Sequence, residues 1–483
     1  MNHSETLGSN KNQQRWWILA NVSLGTFMAT LDGSITNVAL PTISSSLSVH
    51  LYIVQWVITA YLLTIASVLP IIGKLSDLFG RSLLYNVGFL VFTVGSGLCG
   101  LSHSIGMLIA MRVVQAIGAA FLMANSQAIV ASTFPSTERG RALGITGTMV
   151  SLGSMAGPAI GGLLVGFLGW SSIFWINVPI GIVGFLAGLR ILPKDKQAKT
   201  GEPFDYSGSL LYMAGIVTFL YTVSNSEVWG WGSLPSILGY AVSFIVLVLF
   251  YFRERFTKYP MLDFSLYRIQ TFRAGSIAAL LSFVALFCTN VMMPFYMQDV
   301  LNFSPHVIGY VMMAYPLTMA LVAPFSGWLS DKIGPLFLTT GGLVINAIGF
   351  ASLNMLSFEA NSWIIAMHLA VFGIGMGMFQ SPNNSSVLGA VPRNKLGSAG
   401  GLNALVRNIG MVLGTSFSIS LFSYQLHKLT GRIAQLKVEG AQHPAAFLTS
   451  LHTVFWMAAG VCIVGAFVSA SRKALPVRTA SNS

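Results

Sequence analysis

Charge is scarce in this chain. Asp, Glu, Lys and Arg make up 8% of its 483 residues, and only 14 residues are acidic. A soluble domain carries about 25% charged residues. With 54% of residues hydrophobic, a soluble fold of this size could not cover its apolar surface. Cysteine is also scarce: Cys99, Cys288 and Cys462 lie far apart, each in an apolar run. That excludes a disulfide framework and metal-ligand spacing, and leaves them as small buried hydrophobes. No G-x-x-x-x-G-K-[ST] stretch occurs, so nothing points to ATP as the energy source. The glycines of "GIGMG" (373–377) follow no strand and lie inside an apolar run, which reads as a small helix face. No Ser/His/Asp constellation stands out, so an enzyme is not expected. The first 14 residues hold no apolar core, and the first apolar run continues into Asp32 and Pro41. It is therefore expected to be retained rather than cleaved as a leader.

Long apolar runs fill the space these absences leave. Fourteen are long enough to cross a ~30 Å hydrocarbon core. They are 16–37, 52–72, 83–101, 105–127, 140–166, 170–190, 208–224, 234–252, 273–298, 305–328, 337–356, 362–386, 398–425 and 448–470. The expectation is an all-α membrane protein with both termini on one side. With the N-terminus inside, the basic residues test the scheme. Of the 26 Lys and Arg, Lys428, Arg432 and Lys437 fall outside, Arg112 and Arg407 fall within spans, and all the others are cytoplasmic. Such asymmetry sets orientation. It also assigns the net charge of +12 to anionic lipid rather than nucleic acid.

The two halves repeat. "GKLSDLFGR" (73–81) returns as "GWLSDKIGP" (327–335), "AIGAAFLMANSQ" (116–127) as "GIGMGMFQSPNN" (373–384), and "PSTERGRALG" (135–144) as "PRNKLGSAGG" (392–401). The repeat predicts a cytoplasmic N-terminus over 1–15 and a six-helix bundle over 16–190. A linker with two additional helices follows over 191–272, then a second bundle over 273–470 and a tail over 471–483. Parallel repeats of this kind build alternating-access carriers.

Two charges lie at membrane depth. Asp32, in "LDGSITNVALP" (31–41), is the acidic residue that falls inside a span. Arg112, in "MRVVQAIGAA", costs roughly 2.5–3.5 kcal/mol at mid-membrane on insertion scales and needs a partner. At 1.5 Å per residue the two reach comparable depth. Two readings follow: a pair that gains and loses a proton as a cavity opens, or a static ion pair that fixes packing. In 73–81, Gly73 and Gly80 permit a tight turn, with Asp77 and Arg81 free to pair across the inner face. The second copy keeps Asp331 but has Pro335 in place of Arg81. In "GSMAGPAIGG" (153–162), Gly153, Gly157 and Gly161 give one face without side chains. Pro158 permits a bend, and Gly162 follows in register. Pro41 is expected to end the first span.

Together these motifs resemble the major facilitator superfamily, and within it the fourteen-helix drug:proton antiporters of the EmrB/QacA type. "WGWGS" (229–233) adds to the likeness. The resemblance implies proton coupling through Asp32 and Arg112. It implies a conformational latch at Gly73, Asp77, Gly80, Arg81 and Asp331, and an exporter-motif helix at Gly153, Gly157, Pro158, Gly161 and Gly162. Asn125, Met293, Tyr296, Gln298, Gln380, Asn383 and Arg407 are polar or adaptable enough to line a substrate cavity, or to serve packing. His368 reads as a satisfied polar residue.

The expected activity is proton-coupled export of hydrophobic or cationic small molecules, with no cofactor beyond the proton gradient and no metal. Alternatives are export of an endogenous metabolite, lipid or antibiotic, or a membrane sensor that does not transport. Expected partners are small-molecule substrates, protons and lipids, with no nucleic acid. A monomer in a bacterial inner or plasma membrane is expected.

Overall fold

The computed structural model describes residues 3–135, 138–193, 204–257, 260–392, 395–430 and 443–472. Among the described residues there is no strand. An apolar chain in lipid must satisfy every backbone N–H and C=O internally, and helices do so within one segment.

The principal helices are α1 (His3–Ser46), α2 (Trp56–Phe79), α3 (Arg81–Gly100), α4 (Ile105–Thr133), α5 (Arg139–Leu168), α6 (Asn177–Ile191), α7 (Tyr206–Trp229) and α8 (Leu234–Phe256). They continue with α9 (Gln270–Phe295), α10 in two segments (Pro305–Met312 and Ala314–Ile333), α11 (Pro335–Leu353), α12 (Ser362–Gly389), α13 (Leu396–Thr430) and α14 (Pro444–Ala470). Among the described residues, 13 helical stretches are long and apolar enough to span a membrane. The remaining expected span, 140–166, falls on α5, which has 30 residues; its Ala156–Leu168 part is apolar over a shorter length.

Two expectations about punctuation are corrected. Pro41 does not end the first span: it lies inside α1, which continues to Ser46. Proline removes one backbone donor, but a packed membrane helix tolerates the loss where neighbours re-satisfy the freed carbonyl. Pro70, Pro158, Pro294, Pro324 and Pro382 also sit inside helices. Gly73 is not a turn residue either, since it lies within α2. Gly80 makes the turn, with φ +108°, and Gly334 repeats it with φ +86°. Only glycine takes such φ values without strain. The three cysteines are buried and free, as expected.

The contacts divide the chain into two units. The first comprises 1–39, 56–217 and 243–261, and the second comprises 40–55, 218–242 and 262–483. In the first, α3 packs on α4, α2 on α4 and α3 on α6. Small residues set these distances: a Cβ on Gly118 would lie 2.3 Å from the Phe92 backbone nitrogen, and one on Gly95 2.7 Å from Gln115 Cα. In the second, α10 and α11 pack on α12, α9 on α13, and α14 on α9 and α11. Phe350 there meets the rings of Phe372 at 4.4 Å and Phe455 at 6.4 Å.

Candidate functional site: a buried charge network in the first unit

Asp32 lies on α1 and Arg112 on α4, and the structure joins them. Arg112 Nη1 donates to Asp32 Oδ2 at 2.6 Å, with both side chains fully buried.

Two further side chains complete the shell around the carboxylate. Gln115 Nε2 donates to Asp32 Oδ1 at 2.8 Å, and Asn177 Nδ2 donates to the same oxygen at 2.9 Å. Gln115 stands one turn after Arg112 on α4 and accepts from its Nη1 at 2.7 Å. Ser96 Oγ accepts from both amides at 3.1 Å and donates to Phe174 O at 2.8 Å. Arg112 Nε donates to Val57 O at 3.0 Å. The guanidinium also lies 4.0 Å from the Tyr61 ring centroid and 5.6 Å from that of Phe174. A ring face attracts a cation most strongly where water is excluded.

This geometry constrains the chemistry. The side-chain partners of the Asp32 oxygens are all donors. A proton placed on Asp32 would find no acceptor among them, so protonation requires the shell to rearrange. Breaking a buried pair is costly because the surviving charge stays desolvated. The shell draws on α1, α4 and α6, so the carboxylate ties three helices together. Unused capacity remains beside the pair: Arg112 Nη2, Asn177 Oδ1 and Tyr61 OH are buried without a hydrogen-bond partner.

Gln115 and Asn177 were not singled out from sequence. Gln115 carried a signal, since i and i+3 share a helix face and Arg112 was already marked. Asn177, in the apolar stretch "FWINVP", carried a weaker one: an isolated amide at membrane depth.

Gly153, Gly157 and Gly161 of α5 face α1. A Cβ on Gly153 would lie 2.1 Å from Thr30 Oγ1, one on Gly157 1.8 Å from Ser34 Oγ, and one on Gly161 2.7 Å from Ile35 Cγ1. Ser34 Oγ donates across this contact to Gly153 O at 3.2 Å. Pro158 and Gly162 are buried in the same helix. At the expected latch, Gly80 makes the turn and Arg81 opens α3, half-buried. The side chains of Asp77 and Asp331 lie outside the described residues.

The cavity candidates divide by environment. In the first unit, Asn125 is buried and donates to Phe121 O at 2.9 Å. In the second, Met293 and Tyr296 are fully buried, and the Tyr296 hydroxyl donates to Ser357 O at 2.5 Å. Asn383 is buried, donates to Gly275 O at 3.3 Å and accepts from Arg472. Gln298 is half-buried and accepts from Thr42 Oγ1 at 3.4 Å. Gln380 and Arg407 are half-buried. His368 has the expected local partner, with Nδ1 2.8 Å from Ile364 O.

Comparison with known proteins agrees with this architecture. The sequence profile of the Major Facilitator Superfamily matches residues 22–415 and 275–482. The riboflavin transporter RibZ of Clostridioides difficile is 36% identical over 453 residues, covering 94% of this chain and 96% of that protein. The multidrug resistance protein Stp of Mycobacterium tuberculosis is 32% identical, covering 83% of this chain and 75% of that one. The tetracenomycin C resistance and export protein of Streptomyces glaucescens is 29% identical, covering 86% and 77%. A bacterial homolog of the human lysosomal transporter Spinster, solved inward-facing and unoccupied, shares the fold with a TM-score of 0.64 at 17% identity, covering 94% of this chain and 96% of that one. From its helices and these matches, the chain belongs to the major facilitator superfamily and is a multi-pass membrane transporter.

Proposed function

We propose that this transporter exports hydrophobic small molecules in exchange for protons, by alternating access. The observation that carries the reading is the closed shell of donors around Asp32. A carboxylate whose protonation demands a rearranged shell, drawn from α1, α4 and α6, offers a link between proton binding and conformation, which an antiporter requires. The glycine face of α5 against α1 supports it, since a helix face with no side chains of its own lets two helices approach closely and repack. Multidrug and antibiotic export in the names of relatives supports the substrate class. The fourteen-helix antiporter subtype, placement in the cell membrane and cytoplasmic termini belong to the same proposal; the basic residues clustered on one side of the spans support the orientation.

The test is uphill efflux from proteoliposomes with an imposed pH gradient. Wild type is expected to concentrate substrate, and Asp32→Asn to retain downhill exchange while losing the uphill component. Uphill transport by Asp32→Asn at the wild-type level would remove proton coupling from this site.

A second reading has its own support. The relative matched along nearly the whole of both chains is named a riboflavin transporter, which favours a metabolite with a planar heteroaromatic ring. Radiolabelled riboflavin flux, measured beside a toxin susceptibility panel in a pump-deficient host, separates the two.

A further inference from the structure

We infer that Arg407 is a recognition point for an anionic group on the substrate, so that the cargo is an organic anion rather than a cation. The inference rests on the transport reading above and narrows its substrate class.

The argument begins on α13. Positions 403, 407, 410 and 414 follow i, i+4, i+7 and i+11 and share one helix face. Their neighbours fix where that face turns. Asn403 Nδ2 donates to Asn384 Oδ1 on α12 at 3.1 Å. A Cβ on Gly410 would lie 2.8 Å from Leu280 O, and one on Gly414 2.4 Å from Val284 O, both on α9. The opposite face of α13 meets another partner: Ser416 bonds to Ser224 at 2.7 Å. Arg407 therefore stands on the α9 and α12 side, toward the interior of the second unit's bundle.

Among the described residues Arg407 makes no hydrogen bond or ion pair, and it remains half-buried. Arginine inside a membrane span normally pairs or marks a ligand path. Asp32 is fully buried and already committed to Arg112 in the first unit. A cationic substrate would find no free counter-charge at Arg407 and would meet a like charge. A carboxylate or phosphate would find a fork of donors in a weakly screened setting, where charge-assisted bonds are strongest. Asn403, one turn before Arg407, and Asn384 bonded to it offer neutral hydrogen-bonding groups on this face.

The test is equilibrium binding to the purified full-length protein in detergent, with probe pairs that share a ring and differ in charge. One pair is riboflavin 5′-phosphate and riboflavin; the other is fluorescein and rhodamine 123. The anionic member of at least one pair is expected to bind about 10–100-fold more tightly, the range of one charged hydrogen bond. Arg407→Gln should bring that pair to parity, and Arg407→Lys should recover most of the preference. Thermal melting reports whether each variant is folded, and Arg407→Met replaces the glutamine variant if that one does not fold. A preference for the cation, failure of both anionic probes to bind, or an anion preference that survives neutralisation of Arg407 overturns the inference. Binding needs no pH gradient. Intact anion preference beside absent uphill transport would count against proton coupling and leave this inference standing.

Discussion

The Asp32–Arg112 pair permits a worked test by double-mutant cycle. Asp32→Asn keeps shape but removes the charge. One end of the new amide becomes a donor and must face either Arg112 Nη1 or the two donors at Oδ1, Gln115 Nε2 and Asn177 Nδ2. Asn177 can turn, because its Oδ1 has no partner. Arg112 cannot discard its charge, and it keeps only neutral acceptors, Val57 O and Gln115 Oε1. Removing one member of a buried pair costs about 3–5 kcal/mol, and the same range is expected for Arg112→Gln. The double variant buries no charge at this point, and its cost should be about 2–3 kcal/mol below the sum of the singles. Reversible unfolding in mixed detergent micelles measures all three. Additivity within about 0.5 kcal/mol, or single-variant losses below about 1 kcal/mol, would refute the account of a desolvated, mutually dependent pair.

Further outcomes follow from other contacts. Gly157→Ala should destabilise by about 1–3 kcal/mol, the usual cost of overpacking, because its Cβ would lie 1.8 Å from Ser34 Oγ; adding Ser34→Gly should restore much of the loss, read by thermal melting. Gly80→Ala should cost about 1–2 kcal/mol from its positive φ, whereas Gly73→Ala, in mid-helix with nothing within 4 Å of its Cβ, should be neutral or stabilising. Burial pushes the Asp205 carboxyl up, but hydrogen bonds from Arg253, the Gly208 N–H and Ser207 outweigh it and hold the group below 3.8. A depressed carboxylate stabilises the fold above its unfolded value and loses that contribution as pH falls through the folded one. The difference in melting temperature between wild type and Asp205→Asn should thus be constant above about pH 5 and shrink below pH 3.8.

Much of this architecture was legible because lipid leaves a chain few choices. Length and apolarity locate the spans, and rise per residue brings Asp32 and Arg112 to comparable depth. Ring-like closure of the shell was not legible. Gln115 and Asn177 meet Asp32 from sequence separations of 83 and 145 residues, and although Gln115 shares a helix face with Arg112, neither amide's sequence surroundings name Asp32 as its partner. Pro41 misled because proline breaks helices in water, where no neighbouring helix compensates. Gly73 misled because it shares a motif with Gly80, although only the latter has a positive φ. Glycine content alone does not distinguish a hinge from a contact surface.

The buried, free state of Cys99, Cys288 and Cys462 has a practical consequence. Thiols sealed from the medium should ignore maleimide probes in intact membranes, so the natural chain already serves as a silent background for spectroscopy. Spin or fluorescent labels could be installed in pairs at surface sites, and distances followed through a transport cycle, without first rebuilding the interior.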